Sequence, residues 1–167
     1  MPADFRSDPH LAALFDYWES KRGARAMPRR GDVDPLDMPA SLLPHLELIE
    51  FHEGRLRYRL VGTAIVDAMG RDATGRFLDQ VLEGEHGRFI ARFLGTVLQS
   101  GRPAFGFCRL RCGSGGDVGL QRVVVPLAAN AGEVYMMLTA TALGAGHRGA
   151  SPPLAARDIA DAAIELL

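Results

Sequence analysis

The chain has 167 residues, of which 47% are hydrophobic and 23% charged, with a formal net charge of −1. That length suits one domain with one core, and that balance excludes a chain that stays disordered. No run approaches the roughly 20 apolar residues of a membrane span, and residues 1–6 lack the layout of a signal peptide, so the expected location is the cytoplasm.

Of the 19 basic residues only Lys21 is a lysine, and the arginines are scattered among 20 acids. An arginine bias with abundant Ala, Gly and Pro reflects a GC-rich code. Without a basic stripe it does not predict nucleic-acid binding.

Asp8 and Pro9 form a cap and first-turn proline, and Leu11, Leu14, Phe15 and Trp18 follow at helical spacing until Gly23 offers a stop. Residues 27–44 carry four prolines among Asp32, Asp34 and Asp37 and read as an ordered connector wrapping the domain. A β-rich run at 45–51, a turn at Glu53-Gly54 and strict alternation over 55–60 predict a hairpin. The alternation puts Leu56, Tyr58 and Leu60 on the buried face and Arg55, Arg57 and Arg59 in water. A short helix at 64–69 ends at Gly70, and residues 72–80 hold further turns.

Residues 85–99 place Phe89, Ile90, Phe93, Leu94 and Val97 on one helical face, with Gly101 as the stop. Three strands are predicted at 102–112, 119–128 and 133–143, joined by glycine-containing hairpin turns. Residues 144–153 read as a flexible stretch, and 155–167 as a last amphipathic helix with Ile159, Ala163 and Leu166 on one side. The organisation expected is therefore 1–44 as helix and connector, 45–143 as core domain and 144–167 as tail. It forms an α/β (α+β) fold in which helices cover one face of a five-stranded antiparallel sheet.

Particular runs carry a family resemblance. They are Tyr17-Trp18 with Arg22-Gly23, Met27-Pro28-Arg29 with Asp32, Asp34-Pro35 and Leu43-Pro44, then 57–63 (Arg-Tyr-Arg-Leu-Val-Gly-Thr) and Gly70-Arg71-Asp72 with Thr74-Gly75. In wording and element order the chain resembles a bacterial subgroup of PAS domains, often stand-alone proteins. The resemblance implies a sensory module that binds a small molecule between sheet and helices, or dimerises, and passes a conformational shift onward. With no output domain in the chain, the expected recipient is a second copy or a separate output protein.

The run from Gly70 to Leu78 also resembles the flavin-binding, light-sensing branch of that family, but the reactive cysteine is absent and a Thr-Gly pair is inserted, so no flavin is expected. His86 is the only histidine placed to serve as an axial haem ligand, and a partly exposed polar residue is the expectation there. With no metal cluster in the pattern, no bound cofactor is expected.

Cys108 and Cys112 on one strand stand about 13 Å apart at about 3.3 Å per residue, beyond a disulfide or a shared zinc. The aspartates at 32, 34 and 37 lack the glycine and glutamate of a calcium loop. Ser114 lacks a nucleophile elbow, and Lys21 lacks a phosphate loop.

No catalytic residue is therefore assigned. The alternatives to a sensor are a small-molecule hydrolase or isomerase and an interaction module with a filled core. Cavity candidates are Tyr58, Leu60, Met69, Phe89 and Phe93, and the candidate homodimer surface is Leu11, Leu14, Phe15 and Trp18.

Overall fold

The structure, a computed structural model, describes residues 4–112, 116–129, 132–144 and 152–167. The stretch expected to be flexible and the tips of two predicted hairpins lie largely outside those residues.

Helix α1 spans Pro9–Arg22, and its start is set by Asp8, whose Oδ1 accepts from the amides of His10 and Leu11 at 2.9 and 3.1 Å. Four short 3-10 turns break the path from α1 and the preceding segment to the sheet. Strands β1 (Leu46–His52) and β2 (Arg55–Val61) form the first hairpin. Its turn holds Glu53 and Gly54 at φ 51° and 75°, the positive pair that a tight hairpin needs. Helices α2 (Thr63–Met69) and α3 (Gly84–Ser100) follow, then β3 (Ala104–Arg111), β4 (Asp117–Ala128), β5 (Val134–Leu143) and β6 (Ile159–Leu166).

All neighbouring strands are antiparallel, in the order β2-β1-β5-β4-β3-β6. Alternation sorts the sheet into two faces. Ile49, Tyr58, Cys108, Leu120, Val124 and Met137 pack with α2 and α3, while Leu46, Phe105, Val123, Val125, Leu127 and Leu138 pack with α1 and the connector. Both faces are thus covered, where the sequence predicted cover on one.

The predicted C-terminal helix is instead β6, and the sheet has six strands. Periodicity favours a helix over this alanine-rich segment. The open edge of β3, however, presents unpaired N–H and C=O groups, and β6 satisfies them from Ala104↔Leu166 to Leu110↔Ile159. Most of its side chains remain exposed, so ladder hydrogen bonds hold it more than burial does.

Leu60 is the second correction. Leu48 pairs with Leu60 but Ile49 pairs with Tyr58, leaving Arg59 as a β-bulge. One extra residue flips the alternation, so Tyr58 is buried under α3 while Leu60 emerges on the opposite face, 44% exposed.

The helix α1 stripe is the third. Leu11, Leu14 and Trp18 are buried against β4 and β5 of their own chain, with Phe15 packed alongside. The Trp18 indole donates to the Pro126 carbonyl at 2.7 Å. Pro126 lies past the last β3–β4 pair, Ala104↔Val124, where β4 is free to bond elsewhere. These side chains are occupied within one chain and do not form a free pairing surface.

Phe93 of α3 lies over Gly106 of β3 so closely that a Cβ there would stand 2.4 Å from its ring. Gly106→Ala should therefore cost about 1–3 kcal/mol of stability through overpacking. Urea unfolding of the two proteins should show the midpoint falling; an unchanged midpoint would mean that α3 is not seated this tightly.

Candidate functional site

On the α3 face, four strand residues that the sequence reading passed over meet in the interior. Glu47 of β1, Arg122 of β4, and Thr139 and Thr141 of β5 are each 3% exposed or less. Register explains the meeting, since Glu47 lies opposite Thr139 and Arg122 opposite Thr141, all on one side of three adjacent strands.

Arg122 Nη2 stands 3.1 Å from Glu47 Oε2, and its Nε donates to Thr141 Oγ1 at 2.8 Å. The threonine hydroxyls donate in turn to Glu47 Oε2 at 2.9 and 3.0 Å. A buried ion pair survives only when such bonds offset the loss of water. Here the offset is incomplete: Glu47 Oε1 and Arg122 Nη1 have no protein partner.

His86, one turn into α3, is 1% exposed and not the partly solvated residue expected. Its Nδ1 lies 3.1 Å from the Ala156 carbonyl, which can only accept, so Nδ1 carries the proton. Burial, and then the nearby Arg122 charge, lower its pKa to about 4 against the pull of that carbonyl. The ring is thus neutral at physiological pH and its Nε2 is a free acceptor without a partner. The Arg122 charge also acts on Tyr58 and Cys108. Burial and Glu47 push the Tyr58 phenol up, and burial pushes the Cys108 thiol up to about 12, leaving it inert as a nucleophile.

Chemically the cluster offers one open donor and two open acceptors at zero net charge. A polar cleft of about 260 Å³ is lined by Met69, Arg71, Leu82, Glu83, Arg157 and Ala156, the residue whose carbonyl holds His86. The Arg157–Glu83 ion pair, at 2.5 Å, joins the C-terminal segment to the start of α3. The amides of His86 and Ile159 add bonds to Arg157 O and Glu85 Oε2 at 2.9 and 3.0 Å.

The five cavity candidates do not converge on one space. Tyr58, Met69, Phe89 and Phe93 share the α3-side core, yet Met69 lines the polar cleft and Phe89 a separate hollow between α3 and β6. Leu60 lines a groove on the other face. Only Tyr58 among them carries an electrostatic link to the polar cluster. The missed residues did leave a signal: Arg122 is a charge inside an apolar strand run with buried Leu120 and Val124 at i±2, and Glu47 is an acid two positions before buried Ile49.

Cys108 and Cys112 are free thiols, and no group of metal-ligating side chains occurs among the described residues. No described helix is long and apolar enough to cross a membrane.

An antiparallel sheet with helices packed on both faces and a polar cluster buried beneath one of them defines an α+β fold. The family model of the PAS domain matches residues 6–142, and the chain belongs to the PAS domain family. No curated protein matches it. Among solved structures, it is similar to a light-oxygen-voltage domain studied with a flavin analogue, at 12% identity and a TM-score of 0.49, over 63% of this chain and 80% of that one. It is also similar to the Rhodobacter sphaeroides LOV protein, at 14% identity and a TM-score of 0.47, over 64% of this chain and 62% of that one. For VqmA bound to DPO the values are 11% and 0.46, over 59% of this chain and 51% of that one.

Removing one partner of the ion pair strands the other in the interior. Arg122→Met should cost about 3–5 kcal/mol, whereas Glu47→Leu with Arg122→Met should recover most of that loss. Chemical denaturation of the three proteins checks it, and a double variant no better than the single would dismiss the pairing.

His86 gives a pH prediction. Its folded pKa of about 4 lies below the ordinary 6.5, so the unfolded chain binds the proton more readily. The stability it contributes is complete above about pH 6.5 and drains away as pH falls toward 4. A thermal-melt series over that window should slope for the wild type and flatten in His86→Leu.

Proposed function

We propose that this chain is a cytoplasmic sensory PAS module that takes a small, neutral, hydroxyl- or amide-bearing molecule in its interior and signals through a homodimer or a separate output protein. The observation that carries this reading is the trio of unpartnered buried atoms, Glu47 Oε1, Arg122 Nη1 and His86 Nε2. Each buried polar atom left unpaired costs about 1–3 kcal/mol, so a guest that satisfies any of them is favoured.

The charge balance selects the guest. Glu47 and Arg122 cancel, which disfavours a bare anion or cation and favours a molecule that both donates and accepts. His86 links that guest to the tail, because the same ring holds Ala156 through Nδ1. A guest on Nε2 would reset the ring and with it the segment leading to β6. A thiol held protonated by burial is no nucleophile, and the buried polar groups suit binding better than turnover.

A second reading has its own support. The close fit of Phe93 on Gly106 favours a filled core and a pure interaction module.

Native mass spectrometry with an absorbance scan separates the two. A sensor should carry, or take up from a panel of neutral polyols and amides, a guest that His86→Leu fails to hold. Wild-type protein that stays at apo mass throughout, as a dimer, would replace the sensor with the interaction module. A visible absorbance band would point to a coloured cofactor instead.

A further inference from the structure

The sheet face opposite α3 carries a second concavity, unconnected with the polar interior. Between the connector and the ends of β1 and β2 lies a groove of about 420 Å³, within the size range of small-molecule sites. Its walls are almost wholly aliphatic, with Leu43, Leu46, Leu48, Leu60 and Leu138 facing it and Arg30 contributing the only basic side chain.

Three features set this groove apart from incidental roughness. The first is Leu60. It sits on β2, an edge strand, and is 44% exposed there only because the Arg59 bulge turns it outward. Exposed leucine on an edge is an association liability, and bulges that re-aim side chains concentrate beside functional sites.

The second is the fixed spacing of the walls. A Cβ on Gly62 would stand 2.3 Å from the Pro44 carbonyl oxygen, so the end of the connector is seated directly on the end of β2. The Gly62 amide also donates to Leu46 O at 2.7 Å. These backbone contacts fix the spacing of the groove at that end.

The third is the state of Arg30. Its Nη1 donates to the Val33 carbonyl at 3.1 Å, and it forms no ion pair among the described residues, the adjacent Asp34 accepting from the Leu36 amide at 2.9 Å. Asp32 pairs with Arg25 at 2.9 Å and Asp37 with Lys21 at 2.8 Å. A half-buried guanidinium with donors to spare stands on the wall of an otherwise aliphatic groove.

We propose that this groove binds a medium-chain acyl carboxylate, its chain along the leucines and its head on Arg30. An apolar wall with one uncompensated cation matches an amphiphile with one anionic end. A second copy of the chain would instead need a patch of roughly 800 Å² on each side, far wider than the groove.

Titration calorimetry on the full chain with octanoate, decanoate and decanol tests this. Decanoate should bind one to one, and each added methylene should tighten Kd about fourfold. Arg30→Gln should weaken decanoate about tenfold while leaving decanol unchanged, because only the charged head loses its partner. Leu60→Asp, a change at an exposed position, should abolish both. His86→Leu should bind decanoate as the wild type does, which keeps this site distinct from the interior one. Absence of binding, equal binding by Leu60→Asp, or loss of binding in His86→Leu would each overturn the proposal. So would a shift from dimer to monomer in Leu60→Asp where the wild type takes no decanoate, since the groove would then be a contact between copies.

Discussion

Glu47 and Arg122 bring opposite charges together in a place where neither can reach water, and much of the interior is arranged around that fact. Their bond spans β1 and β4 across β5, so the ion pair staples three central strands on the face beneath α3. Thr139 and Thr141, on the strand between, are threonine where an apolar β-branched residue would otherwise be expected, and both direct hydroxyls at the same carboxylate oxygen. The cost of burying two charges is thereby reduced but not removed, because one oxygen and one nitrogen stay open. An interior whose only purpose was stability would gain by replacing the pair with aliphatic side chains.

His86 extends this electrostatics to the edge of the molecule. One ring nitrogen stands free in the interior and the other holds the backbone of residue 156, so a single imidazole touches both the polar cluster's field and the tail. The tail in turn becomes β6, held to β3 by ladder bonds with little burial behind them. Such an element has low local stability compared with the central strands, and the start of α3 holds the segment that leads into it.

The other face is governed by shape more than charge. Helix α1 closes most of it, with the Trp18 indole locked to Pro126. The connector closes the rest imperfectly, leaving a groove where the Arg59 bulge delivers Leu60. The two faces therefore differ in kind: one encloses a charge-balanced polar cluster within an apolar core, the other leaves an aliphatic groove open.

Local chemistry was enough to place α1, where Asp8, Pro9 and Gly23 mark both ends, and α3, where the apolar stripe has one period throughout. It also placed the first five strands, the Glu53-Gly54 turn and the family likeness carried by residues 17–75. Each of these depends on neighbours within a few positions. What the sequence could not determine depends on partners far along the chain. Residues 159–166 have a helical pattern, and only the unpaired edge of β3 makes a strand the better solution. Leu60 obeys strict alternation in the sequence, and only the pairing of β2 with β1 reveals the extra residue that turns it around. The stripe on α1 looks free until the second face of the sheet exists to receive it. Glu47 and Arg122, 75 positions apart, become a site only when antiparallel register sets them on one face, on the two strands that flank β5, because a charge in a strand carries no label for the partner that will neutralise it.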